Sequence, residues 1–381
     1  MSGDKEFLTH VVDPKALELD GTKVMWYADR IAAWRRGERI APITMDVSWT
    51  RKCQASCNFC YATLQSSEGS VITKEIAFQF LEDAAEMGVK GVSLISDGES
   101  TMVPFFAESV EYGAKLGLQM GTSSNGIALT RPVLEKVLPH LAYLRFNFSG
   151  GEKHRWAQIM GLKQALYDKV IENIKTSMEI KRRDNLGCTV NMQLVSMPQD
   201  ADQLLPFAKL CAAIRPTYGI IKHCADSREG ELGVDYSGYA GLFDVLKECE
   251  ALSDDDFRMA VKWSRLENEG KRSYQRCYGP NFILQMSGNG LIAPCGQLFN
   301  EKYKKMHIGN VCETRWRDIW LSDRYLEVMN WLASDYWDSQ TMCGPNCLQH
   351  NSNIYLDRLV KGDIQLPILE AVASPPHLGF L

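Results

Sequence analysis

No run of apolar residues approaches the roughly 18 needed to cross a bilayer, so no membrane span is expected. A basic excess is missing too. Lys and Arg total 42 against 47 Asp and Glu, a net charge of -5, so the sequence-independent pull on nucleic acid is weak, local basic patches aside. The first residues, MSGDKEFLTHVVDPKALELD, carry acids where an export signal needs a basic stretch and an apolar one, which makes the cytoplasm the expected location. Repeats of fixed period, low-complexity tracts and the glycine-rich dinucleotide fingerprint after the first strand are also absent. What is present has ordinary globular composition: 381 residues, 45% apolar and 23% charged, which excludes a fibrous or disordered chain. That length suits a barrel-sized core of about 200–250 residues plus one smaller unit.

Twelve cysteines stand out against this background. Cytosolic thiols stay reduced, so a disulfide framework is not expected. Reduced cysteines at short spacing are metal ligands more often than not. Cys53, Cys57 and Cys60 crowd near the start, and Cys277, Cys295, Cys343 and Cys347 lie towards the end, with Cys188, Cys211, Cys224, Cys249 and Cys312 scattered. Two groups imply two sites.

From residue 43 onward, short β-rich runs alternate with helical patterns. Strands are expected at 43–49, 91–95, 118–123, 141–149, 188–195 and 218–223. Each precedes a helix, near 73–87, 104–116, 131–138, 164–182, 201–214 and 235–250. Six such units predict a parallel sheet, because parallel strands need helical crossovers, and right-handed crossovers curl it. The expected fold class is α/β: a partial (β/α)6 barrel over 43–250 with a small α+β iron–sulfur domain at 277–381. Residues 1–42 are expected as a helical extension packed on the barrel, and 251–276 as a charged connector. In the tail, NFILQM and LIAPC flank SGNG, a hairpin signal. The stretch 315–332 reads as one helix whose Trp316, Trp320 and Trp331 belong to the core.

The first cysteines form Cys53-Gln-Ala-Ser-Cys57-Asn-Phe-Cys60, a C-x3-C-x2-C spacing after the first strand. Thiolates suit zinc or iron–sulfur clusters. Structural zinc prefers four protein ligands. Three close cysteines without an obvious fourth suit three irons of a cubane and leave the last iron open, although a zinc knuckle or three incidental thiols are the plain alternatives.

With its place after strand one and the repeats that follow, this spacing resembles the radical S-adenosylmethionine (radical SAM) superfamily over about residues 43–224. The resemblance implies a [4Fe-4S] cluster on Cys53, Cys57 and Cys60 that binds the amino and carboxylate groups of SAM through its open iron. One electron then cleaves the sulfonium to methionine and a 5'-deoxyadenosyl radical, in a barrel mouth that keeps the radical from water. Ser96-Asp97-Gly98-Glu99-Ser100 resembles the family's "GGE" motif for the SAM amino group, with Asp97 in place of the first glycine. Phe59 matches the aromatic whose backbone meets adenine. Asn125, Asn147, Ser149 and Gln193 fall where the family contacts the ribose and carboxylate of SAM, or else they satisfy strand ends.

Cys277, twelve residues, Gly290, four residues and Cys295, closed by Cys343-Gly-Pro-Asn-Cys347, resemble the SPASM/Twitch extension of these enzymes. The full SPASM pattern has seven cysteines. Four well-placed ones look like the shorter Twitch form, which implies a single auxiliary [4Fe-4S] cluster ligated by Cys277, Cys295, Cys343 and Cys347. Fully ligated, it would move electrons and not bind substrate. A structural zinc in the same thiolates stays open. Cys312 reads as a core cysteine.

The outcome depends on the substrate. Oxidation, epimerisation and rearrangement or elimination are all open to a substrate radical. The tail, Cys347-Leu-Gln-His-Asn-Ser-Asn and Pro-Pro-His-Leu-Gly-Phe-Leu, resembles the C-termini of radical SAM proteins that tailor sugars, nucleosides or other small metabolites. Peptide-modifying relatives often carry an N-terminal leader-recognition domain, whereas 42 residues precede this barrel. The expected substrate is thus a small polar molecule. A SPASM-type peptide maturase is the first alternative and a nucleic-acid-modifying radical enzyme the second, and a non-catalytic electron carrier is disfavoured by the Asp-Gly-Glu segment. An external one-electron donor such as flavodoxin or ferredoxin is implied. At strand ends His223, Cys224 and Arg145 are candidates to touch substrate, with Cys224 a hydrogen-atom donor if exposed. Lys222 and His223 read equally well as structural.

Overall fold

Apolar runs too short for helices form the centre of the fold. The computed structural model describes residues 22–65, 69–263, 271–366 and 376–381. Seven strands pair in parallel, each with the next: β1 (Thr44–Val47), β2 (Gly91–Leu94), β3 (Gln119–Ser124), β4 (Leu141–Asn147), β5 (Thr189–Ser196), β6 (Tyr218–His223) and β7 (Arg258–Val261). β2 is buried at every position. Strands covered on both faces need apolar or satisfied residues on each side. The sheet is an α/β parallel sheet, as expected, and it is wider than the sequence suggested.

Two differences matter for the site. β7 lies in the segment read as a connector. Its RMAV run is only four residues long and sits among charged residues, so periodicity hides it. The C-terminal hairpin is not a sheet of its own. β8 (Ile283–Met286) pairs in parallel with β1, and β9 (Leu291–Ala293) and β10 (Gly309–Asn310) follow antiparallel, giving one ten-stranded sheet in the order β10-β9-β8-β1-β2-β3-β4-β5-β6-β7. The loop of the first cysteines after β1 and Cys277 and Cys295, which flank β8 and β9, therefore lie on neighbouring strands. Cys343 and Cys347 lie between the helices Ser339–Met342 and His350–Lys361.

Helices cover the outer face. Besides those expected, a helix Lys153–Met160 follows β4, ended by Gly161 in the left-handed region at φ 60°. The Trp-rich stretch is two helices, Trp316–Leu321 and Asp323–Leu332. They break at Ser322, whose Oγ accepts from Tyr325 N as an N-cap. Trp316 is buried against Phe80 of the helix Lys74–Glu86. Residues 1–21 of the N-terminal extension lie outside the described residues. The helix Ala28–Arg35 touches the barrel through Arg30, whose Nη2 donates to Gly88 O at 2.9 Å, and also the C-terminal unit, where Trp34 meets Tyr278 and Phe282 edge-on at 5.3 and 5.6 Å. At the base of the sheet the last residues cross the strand ends. Gly379 O accepts from Thr44 Oγ1 at 2.8 Å, Gly379 N donates to Gln119 Oε1 at 2.8 Å, and Phe380 stands edge-on to Tyr143.

One buried carboxylate ties the two cysteine-bearing parts together on the outside. Asp83, fully buried, receives both Nη2 and Nε of Arg315 at 2.6 and 3.2 Å. Asp83→Ala should lower the unfolding free energy of the iron-free protein by about 1–3 kcal/mol, read by urea denaturation. Arg315 is partly solvated, which favours the lower end of that range.

Candidate active site

The loop after β1 carries Cys53, Cys57 and Cys60, and neighbouring backbone holds it from three sides. Ser56 N donates to Met160 O and Asn58 N to Ile159 O, so the unexpected helix Lys153–Met160 is the floor of the loop. Asn58 Nδ2 donates to Asp200 Oδ2 at 2.9 Å, and Glu99 N donates to Lys52 O. Gly98, at φ +70°, fits because a side chain there would put Cβ 2.0 Å from Thr50 O. Cys53 is exposed, and Cys57 and Cys60 are half-buried. Burial raises the thiol pKa of Cys57, and the charges of Cys60 and Cys53 raise it further. Thiolates that repel one another in this way are stabilised by a cationic group among them.

Among the described residues no three His, Cys, Asp or Glu side chains are drawn together as a single-ion site. The fit to iron–sulfur ligation rests on the all-thiol donor set and its mutual electrostatic reach. Cys53 Sγ accepts from Asn125 Nδ2 at 3.8 Å. Glu99, buried, accepts from Asn125 N at 2.8 Å and Thr101 Oγ1 at 2.6 Å. Desolvation raises its pKa, and those donors hold it back. Asn147 Oδ1 accepts from Ser123 Oγ and Gln193 Nε2. Gln193 Oε1 is buried without a hydrogen-bond partner, an acceptor left for a bound molecule. Ser149 Oγ is occupied by Val195 N, the strand-end role that the sequence left as its alternative.

Three expected residues are placed differently. The Asp97 carboxylate is taken up by Ser287 Oγ and Gly288 N, both at 2.7 Å. His223 does not face the interior: Lys222 lies in electrostatic reach of the inward-facing Asp46, so the next residue points to the other face of the strand, where its ring stands edge-on to Tyr239. Cys224 is fully buried, its Sγ donating to Phe59 O at 3.5 Å, and burial followed by Asp226 pushes its thiol pKa up to about 12. It is packed beneath the cysteine loop and is not open to substrate.

The second group converges. Cys277, Cys295, Cys343 and Cys347 line one cavity of about 40 Å³ together with Arg272. Asn353 Nδ2 lies 3.7 Å from Cys277 Sγ and 3.8 Å from Cys347 Sγ, bridging the two ends of the set. Burial and the neighbouring thiolates push Cys343 up to about 12, and the Arg272 charge opposes this. Cys312 lies apart, with Sγ against Asn289 O.

Sequence reasoning missed the residues between the two groups. Tyr61 follows Cys60, and burial, then Cys295, Cys60, Asp97 and Asp46 in turn, hold its phenol protonated. Its hydroxyl closes on Gly296, where a Cβ would approach within 3.0 Å. Deeper in the sheet, Asp46 accepts from Gln285 Nε2 at 3.1 Å. Desolvation raises Asp46 to about 6 against the charges of Arg145 and Lys222. Asp46 and Arg145 line a cavity of about 160 Å³ in the curl of the sheet. Inward alternation along β1 and β4 was the available signal.

Residues 47–209 match the model of the Radical SAM superfamily, and residues 277–348 that of SPASM, an iron–sulfur cluster-binding domain. The chain is 30% identical over 295 residues to the AdoMet-dependent heme synthase of Methanosarcina barkeri, covering 72% of this chain and 81% of that protein. It is 25% identical over 292 residues to the sporulation killing factor maturation protein SkfB of Bacillus subtilis, covering 75% and 67%. Among solved structures, Streptococcus suis SuiB bound to S-adenosylmethionine superposes with a TM-score of 0.61 at 16% identity, covering 80% of this chain and 72% of that one.

Anaerobic loading with iron and sulfide should give about eight irons per chain, and joint replacement of Cys53, Cys57 and Cys60 by alanine should leave about four, by iron assay. Zinc in the second site, or an unchanged count in the triple variant, would contradict the assignment.

Proposed function

Because the chain belongs to the radical SAM superfamily and carries a SPASM iron–sulfur domain, we propose that it oxidises a small polar metabolite, of sugar or nucleoside type, at one C–H bond. With the [4Fe-4S] cluster and SAM bound, reductive cleavage by an electron from a flavodoxin or ferredoxin supplies a 5'-deoxyadenosyl radical that removes a hydrogen atom. The protein's part is positional and electrostatic. Cys53, Cys57 and Cys60 would hold the SAM-binding cluster, and Gly98, Glu99, Asn125, Asn147 and Gln193 would line the SAM site. Arg145 offers a cationic donor to a polar or anionic substrate group, and Asp46 is a base in the same cavity, with the charge of Lys222 in reach of it. With an auxiliary cluster bound, Cys277, Cys295, Cys343 and Cys347 would hold the electron acceptor and Asp46 Oδ would take the proton, and loss of a hydrogen atom, an electron and a proton would sum to a two-electron oxidation.

One observation carries this reading: Tyr61 stands in electrostatic reach of both Cys60 and Cys295 and of Asp46. A substrate in the cavity lined by Asp46 would meet that acid directly, and Tyr61 relates the acid electrostatically to both cysteine sites. A carboxylate with a pKa near 6 is mostly ionised at neutral pH and still basic enough to take a proton. The peptide reading draws on SkfB, named as a maturation protein. The charged lining of the cavity at Asp46 and Arg145 favours the small molecule, as does a relative named for heme synthesis.

Turnover with deuterated sugars, nucleosides and peptides, followed by mass spectrometry of the deoxyadenosine, identifies the substrate class. Label arriving only from a peptide would overturn the small-molecule reading. Since Asp46 must be ionised to accept a proton, kcat/KM should rise with pH through an inflection near 6. Asp46→Asn should still cleave SAM while losing about 100-fold or more in product formation. Full product formation by that variant would remove Asp46 from the mechanism.

A further inference from the structure

We propose that Asp97 is a positioning residue that fastens the hairpin turn of the SPASM domain to the loop entering the first cysteine set, and that it does not hold SAM. The inference rests on the two-cluster reading, which the iron count tests separately.

The family resemblance puts a glycine where this chain has Asp97, and a buried acid in its place must be compensated. Its side chain is 1% exposed. Ser287 Oγ donates to Oδ2 and Gly288 N to Oδ1, each at 2.7 Å, and Arg51 Nε lies 3.5 Å from Oδ2. Two of these donors belong to the turn between β8 and β9. The third lies two residues before Cys53. The carboxylate thus joins segments 190 residues apart in sequence. A charged acceptor with directed donors in a low-dielectric setting makes strong hydrogen bonds.

Backbone packing at the same point tells the same story. A Cβ on Gly98 would fall 2.0 Å from Thr50 O, and a Cβ on Gly288 would fall 2.1 Å from Thr50 C. Thr50 is therefore gripped between a glycine of the Asp-Gly-Glu segment and a glycine of the hairpin. The turn is continuous with the second site, because Ser287 N donates to Leu291 O at the start of β9 and Cys295 stands just beyond Ala293. β1–β8 pairing ends at Asp46 and Gln285, and beyond it Asp97 and the Thr50 contact join the hairpin turn to the start of the cysteine loop. Asp97 thus adds a link, past the end of that ladder, between the segments that carry Cys295 and Cys53.

The test uses the full-length iron-loaded protein, comparing Asp97→Asn and Asp97→Gly with Glu99→Gln. In Asp97→Gly, amide hydrogen exchange at 287–291 should rise about tenfold or more, and SAM affinity should stay within about threefold of wild type. The electron paramagnetic resonance signal of the reduced second cluster should shift or broaden in the same variant, a change that loss of SAM contacts would not cause. Asp97→Asn keeps an acceptor for the turn and loses the charge facing Arg51, so its effects should have the same sign and smaller size. It also serves where the glycine variant fails to retain iron. The proposal is overturned if either Asp97 variant loses SAM affinity as Glu99→Gln does with hairpin exchange unchanged. It is equally overturned if exchange and spectrum both match wild type.

Discussion

Parallel pairing of β1 with β8 is the constraint on which the rest of this molecule depends. Thr44, Met45 and Asp46 register with Ile283, Leu284 and Gln285, so a strand from the C-terminal unit lies against the first strand of the parallel sheet. Backbone hydrogen bonds between strands fix separation and register together, and a slip of one residue would turn every side chain to the wrong face. In this register Gln285 meets Asp46, Gly296 makes room for Tyr61, and the turn after β8 reaches Asp97. The two cysteine sites owe their relative position to that ladder.

Buried charge is managed differently at each acid of the site. Desolvation raises the pKa of Asp97 and of Glu99, and the hydrogen-bond donors around each oppose that rise without cancelling it. At Asp46 desolvation prevails too, over the charge of Arg145, one amide donor from Gln285 and the charge of Lys222. The partners, and not the direction of the shift, distinguish Asp97, held by two donors of the hairpin turn, from Asp46, held by one amide. At the thiols burial and mutual repulsion outweigh what opposes them, a backbone hydrogen bond at Cys57 and the Arg272 charge at Cys343, and a cationic cluster among them would favour ionisation.

Much of the fold was legible locally. Alternating runs of strand and helix signal gave six of the parallel strands, and the SGNG turn gave β8 and β9. β7 escaped because four residues in a charged stretch carry no period. The helix Lys153–Met160 escaped for a related reason: at eight residues it lies near the lower limit at which a pattern can be told from a loop. Ser322 broke the Trp helix through a cap that the sequence displays as Ser-Asp, and its apolar periodicity overrode that signal.

The sequence by itself determined the chemistry available: which cysteines are spaced to hold iron and sulfur, where the Asp-Gly-Glu segment falls, and that strands precede helices. These are short-range matters, written in spacing and period. Only the tertiary structure decided which groups face one another. It turned His223 to the outer face, sealed Cys224 beneath Phe59, gave Asp97 to a hairpin 190 residues away and set Tyr61 between Cys60 and Cys295. Hydrogen bonds and Coulomb forces act through space, and the folded chain's distances bear no fixed relation to separation along it.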